Sequence, residues 1–183
     1  MFGAKLFSSV KTISIILAIA AITACSSLNT KVGGMLNLKT DLVLGFVADA
    51  DINPDEKNRP SPLFLRMYEL KSTKQFERAN FLDLYERDAE ILGADLVAKQ
   101  TLKRLKPGDE RKDNFVLKPE TRYVGLFAEF LQYKNAKFKI IIEIAPTNVI
   151  ASSADIRLAA NTIRNMKEAV KAESAPAAGN SGK

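Results

Sequence analysis

Few residues in this chain could do chemistry. There is one cysteine, Cys25, and no histidine at all. Without imidazole, neither an acid–base triad nor the common zinc ligand sets can be assembled. No glycine-rich phosphate loop is present. Asp and Glu together number 21, but charges on strands and helices usually face solvent. One cluster of oxygen donors has suggestive spacing: Asp49, Asp51 and Asn53 follow the first ligand positions of an EF-hand. That loop needs Gly at its sixth position and Glu at its twelfth. Here those positions hold Pro54 and Pro60. The expectation is a protein with no metal, no cofactor and no small-molecule substrate, and not an enzyme.

Cys25 is the remaining reactive group, and its context gives it a role. Lys5 and Lys11 make a basic start, and no acid precedes the cysteine. An apolar run follows from Thr12 to Ala21, then Ile22-Thr23-Ala24-Cys25. This is the three-part layout of a secretory signal. As a helix, Thr12 to Ala24 would reach about 20 Å, short of a hydrocarbon core of about 30 Å. The aliphatic–small–small–Cys order resembles the bacterial lipobox. That resemblance implies a diacylglyceryl thioether on Cys25, cleavage just before it, and further acylation of the new amino terminus. One acyl chain holds a protein only marginally, at about 0.8 kcal/mol per buried methylene, whereas three would be effectively permanent. Residue 26 is Ser rather than the Asp associated with inner-membrane retention. The expected location is therefore the inner leaflet of the outer membrane, facing the periplasm. Outer-membrane lipid would be a partner through acylated Cys25.

Composition bounds the rest. The whole sequence carries a formal charge of +6. Loss of residues 1–24 would remove two lysines and no acid, leaving 25 basic and 21 acidic residues, or +4. So mild a balance suits anionic head groups and does not argue for nucleic acid. With the only thiol acylated, no disulfide can form, so stability must come from packing. Residues 25–39 read as a lipidated tether, loosened by Gly33 and Gly34.

The elements that follow are mostly period-two segments. In 40–48, Leu42, Leu44, Phe46 and Ala48 share a face. In 63–70, Leu63, Leu65 and Met67 alternate with Phe64, Arg66 and Tyr68. Between these strands, Asp49 to Pro62 is dense in charge and holds three prolines, so it is a long ordered loop. Asn80 can cap a helix with Asp83 in its first turn, and Phe81, Leu84, Tyr85 and Ala89 fall on one side of it. Further strands are expected at 96–105, 111–117, 122–131 and 137–145, with turns at Lys106-Pro107-Gly108-Asp109 and Lys118-Pro119. Residues 155–161 read as a last strand or the start of a helix. The expected organisation is a signal peptide over 1–24, the tether, and a β-sandwich domain over 40–163. A helical insertion is placed at about 76–92, and a disordered C-terminal tail over 164–183. The fold class is all-β, a sandwich of seven to eight strands.

Several stretches together resemble the TssJ family, the outer-membrane lipoproteins of type VI secretion. They are Ile52 to Pro62 running into Leu63–Lys71, then Phe81–Tyr85, Leu92–Leu96, Leu105–Gly108 and Arg122–Gly125. The resemblance spans about Leu38 to Ala145 plus the lipobox. Arg111 to Asn114 is more charged than the family pattern. The resemblance implies a transthyretin-like β-sandwich in a trans-envelope membrane complex. It also implies that the loop between the first two strands binds the periplasmic C-terminal region of the inner-membrane protein TssM. The residues this points to are Asp51, Ile52, Asn53, Pro54, Asp55, Glu56, Lys57, Asn58 and Arg59. The alternative is a generic periplasmic lipoprotein, an assembly factor or chaperone-like sandwich with another client.

Overall fold

A computed structural model describes residues 40–145 and 152–167. The signal peptide 1–24, Cys25, the tether to residue 39 and the tail beyond 167 lie outside the described residues.

Eight strands form two four-stranded sheets. They are β1 (Thr40–Ala48), β2 (Leu65–Leu70), β3 (Leu96–Thr101), β4 (Glu110–Leu117), β5 (Tyr123–Ala128), β6 (Lys139–Glu143), β7 (Ser152–Ala159) and β8 (Thr162–Asn165). One sheet runs β4-β1-β7-β8 and the other β3-β2-β5-β6. All pairings are antiparallel except β1 with β7, which is parallel. The architecture is an all-β sandwich, as the alternating pattern predicts. From β1, Leu42, Leu44, Phe46 and Ala48 point into the core. Leu65, Met67, Val124, Leu126, Ile140, Ile142, Ile156 and Leu158 meet them there. No helix among the described residues is long and apolar enough to cross a membrane.

The helical insertion covers the outer face of the second sheet and creates a second core. It consists of two helices, α1 (Lys74–Arg78) and α2 (Phe81–Leu92). Tyr68, Leu70 and Phe127 on the sheet bury against Phe76, Phe81, Leu84 and Leu92. This explains why β2 is buried on both faces, although its sequence alternates. The Phe76 ring lies so close over Gly125 that a Cβ there would sit 2.8 Å from the ring. Lys139, on β6, ties the end of α1 to the sheet. Its Nζ donates to the carbonyls of Phe76 (2.7 Å), Glu77 (2.7 Å) and Ala79 (2.5 Å). Burial lowers the Lys139 pKa, opposed by the nearby charges of Glu77 and Asp83.

The capping of α2 follows the sequence. The Asp83 amide donates to Asn80 Oδ1 at 2.9 Å, and the Asn80 amide donates to Asp83 Oδ2 at 3.0 Å. Its buried face differs from expectation. Phe81, Leu84, Asp88 and Leu92 are buried, whereas Tyr85 and Ala89 are exposed. The buried positions keep the three- and four-residue spacing of one helical stripe, which runs through Leu84 and Asp88 rather than Tyr85 and Ala89. The helix departs from helical geometry at Arg87 (φ −136°, ψ 31°). Asp88 is also drawn inward by Tyr68 Oη (3.0 Å), Lys99 Nζ (2.8 Å) and Arg66 Nη1 (3.3 Å). Burial alone would raise the Asp88 pKa, but Lys99, Tyr68 and the Ala89 amide outweigh it and lower the value.

The end of the domain also differs. Residues 152–159 form a strand that begins before 155, and β8 carries the sheet to Asn165, two residues past the expected boundary at 163. Ile163 is its only apolar anchor, too little for a period-two signal to register. The tail beginning at 164 is therefore corrected at its start.

Candidate functional site

The loop after β1 lies at the end of the sandwich opposite the chain entry at Thr40. Nine residues of β1 separate the two ends, about 30 Å at roughly 3.3 Å per residue. The loop is fixed to two distant segments, 157–160 and 131–132. The Asp49 carboxylate pairs with Arg157 Nε at 3.0 Å on β7. Asp51 Oδ1 accepts the Ala160 amide at 3.1 Å. Asn53 makes the central fastening. It takes a left-handed φ of 49°, which Asn tolerates better than most residues. Its amide donates to the Ala160 carbonyl (2.9 Å), its Nδ2 to the Pro62 carbonyl (3.0 Å), and its Oδ1 accepts the Leu131 amide (2.8 Å). Gln132 then holds the loop from the β5–β6 connection. Its Nε2 donates to the carbonyls of Asp55 (2.8 Å) and Pro54 (3.3 Å).

The tip of the loop is a self-contained turn. Asp55 Oδ1 accepts the amides of Lys57 (2.8 Å) and Arg59 (2.9 Å), and Oδ2 accepts Arg59 Nε (2.7 Å). Arg59 Nη2 completes the ion pair at 2.6 Å. Asn58 closes the turn at φ 57°. The Arg59 side chain, followed by these amides, holds the Asp55 carboxyl below its ordinary pKa.

The nine residues singled out in sequence thus divide. Ile52 is fully buried in the sandwich core and Asn53 is 2% exposed, so neither presents a side chain to a partner. Their inclusion as contact residues is corrected: they hold the loop. Pro54 and Asp55 are half-buried. Asp51, Glu56, Lys57, Asn58 and Arg59 are exposed. Cys25 lies outside the described residues. A cleft of about 710 Å³ separates the loop from the 131–135 connection, with Glu56 and Asn58 on one wall and Leu131, Tyr133 and Lys134 on the other. Sequence reasoning missed this second wall. Leu131 reads as the end of a strand, and nothing in residues 132–135 signals the contact to Asp55. The arrangement offers a rigid polar surface. Asp49, Asp51 and Asn53 direct their side chains to different partners, so they do not converge as a calcium site requires.

Residues 40–161 match the family described as type VI secretion lipoprotein, VasD, EvfM, TssJ. The chain belongs to the TssJ family. It is similar to the crystal structure of the lipoprotein TssJ1 from Pseudomonas aeruginosa, with 31% identity and a TM-score of 0.64. That match covers 69% of this chain and 95% of the other. A structure described as a type VI membrane complex matches at 25% identity and a TM-score of 0.60, over 70% of this chain and 98% of that one. A third, described as the TssM C-terminal domain from EAEC, shares the fold at 22% identity and a TM-score of 0.57, over 68% and 96%. No curated protein matches. TssJ-family membership makes the chain a structural lipoprotein component of a type VI secretion system, not an enzyme.

Proposed function

We propose that this TssJ-family chain ties a trans-envelope secretion complex to the outer membrane. Acylated Cys25 would sit in the inner leaflet, and the 25–39 tether would hold the domain in the periplasm. The exposed tip of the Asp51–Arg59 loop would grip the periplasmic C-terminal region of TssM. The observation that carries this reading is the loop's construction. It is a long connection braced by Asn53, Gln132 and the Asp55–Arg59 turn, at the pole opposite the chain entry at Thr40. A segment already ordered loses little entropy on docking, so binding can be specific without a large apolar area. The charges at the tip favour fast, selective encounter over permanent apolar fusion. Among similar structures, one is described as a type VI membrane complex and one as the TssM C-terminal domain, which supports this choice of partner. Co-purification tests the reading. Tagged chain extracted from outer membranes should bring down TssM, and Cys25→Ser should shift the chain out of that membrane and lose secretion. A Ser variant that fractionates and labels with lipid as the parent does would refute the anchor.

A further inference from the structure

The loop tip is small for the task assigned to it. Five of its side chains are well exposed, whereas a stable interface engages roughly 20–30 residues on each side. The ground next to it is apolar. Large hydrophobic side chains left exposed among the described residues are Val47, Phe64, Leu82, Tyr85, Val116 and Leu131. Four of these, Phe64, Leu82, Tyr85 and Leu131, line one groove of about 560 Å³ between α2 and the loop base. They are 45–57% exposed. Val47 and Val116 lie far from it on the other sheet, beside Glu110 and Asp41. Clustering of this kind, rimmed by polar groups, marks interaction sites. The floor is firm: Phe81 stacks on Tyr133 with centroids 4.3 Å apart.

Resting on the loop reading above, we infer that this groove is the apolar half of the same docking surface. It takes a bulky apolar side chain of the partner with a lysine or arginine beside it. Continuity supports one occupant for both halves, because Leu131 and Tyr133 line the groove and the loop cleft alike. Charge supports the basic neighbour. Two carboxylates line the groove. Glu129 is engaged by Arg66 Nε at 2.6 Å. Glu86 has no ion-pair or hydrogen-bond partner among the described residues. An incoming cation at Glu86 would satisfy the one open charge, and the apolar side chain would displace water from Phe64, Leu82 and Tyr85.

The test uses the full chain in detergent and the periplasmic fragment of TssM, with calorimetry as readout. Leu82→Ser combined with Tyr85→Ser should keep the unfolding temperature near that of the parent and weaken binding by about tenfold or more. Glu86→Lys should weaken binding and flatten its salt dependence, while Glu86→Gln falls between. Parent-like affinity of all these variants, with binding lost on replacing Asp55–Arg59, would overturn the groove and leave the loop reading standing. No binding by the parent chain would overturn both. A parent dimer that Leu82→Glu dissociates, with TssM affinity unchanged, would also overturn it, since a second copy would then fill the groove.

Discussion

Asn53→Ala should unfasten the loop and destabilise the whole domain. The side chain makes two hydrogen bonds, to the Pro62 carbonyl at 3.0 Å and from the Leu131 amide at 2.8 Å. Asn53 itself is 2% exposed, so Ala would leave both backbone groups short of a partner where water enters poorly. An orphaned buried polar group costs about 1–3 kcal/mol. Neither partner is fully sealed, which places the pair at about 2–3 kcal/mol together. Ala must also hold φ near 49°, adding about 1 kcal/mol. The expected loss is about 3–4 kcal/mol. Asn53→Gly separates the contributions: it relieves the backbone strain, so it should be less damaging than Ala by about 1 kcal/mol. Asn53→Asp keeps the acceptor for the Leu131 amide but sets a carboxylate against the Pro62 carbonyl. Urea denaturation of the full chain in detergent measures all three. An Ala variant within about 0.5 kcal/mol of the parent, the range of ordinary surface changes, would refute the claim that Asn53 holds the loop.

Other positions are open to equally direct checks. Gly125→Ala should cost about 1–3 kcal/mol by overpacking, because its Cβ would meet the Phe76 ring at 2.8 Å; an unchanged thermal midpoint would contradict the docking of α1. Leu65→Ala, at a fully buried core position, should cost about 2–5 kcal/mol, read by the same denaturation. The Asp55 turn should resist acid. Its folded pKa lies below the ordinary 3.8, so its contribution is fully present above that value and is lost only as pH falls through the lower folded value. Amide shifts of Lys57 and Arg59 followed by NMR should titrate with a midpoint under 3.8; a midpoint at or above it would count against the turn.

Much of the fold was legible because its determinants are local. Leu42, Leu44, Phe46 and Ala48 alternate over a whole strand, Asn80 and Asp83 cap each other three residues apart, and Pro107-Gly108 turns with Gly108 at φ 80°. What stayed hidden depends on distant segments. Ile52 and Asn53 read as loop residues, yet Ile52 packs into the sandwich core and Leu131 and Ala160 bond Asn53. Nothing local marks Asp88 for burial, because its partners Tyr68 and Lys99 come from two strands of the sheet. Tyr85 and Ala89 fit a helical stripe as well as Leu84 and Asp88 do, and the sheet beneath decides which stripe is buried. The loop was found by its length and prolines. The division between side chains that hold it and side chains that face outward requires the fold.

One calorimetric comparison decides whether the exposed loop tip binds TssM. Asp55–Arg59 is replaced by a Gly-Ser linker while Ile52 and Asn53 are kept, so the fastenings to Leu131, Pro62 and Ala160 survive. The loop-replaced chain should unfold at a temperature close to the parent's and give no measurable heat of binding to the TssM periplasmic fragment. Parent-like affinity in the loop-replaced chain would contradict binding through the tip.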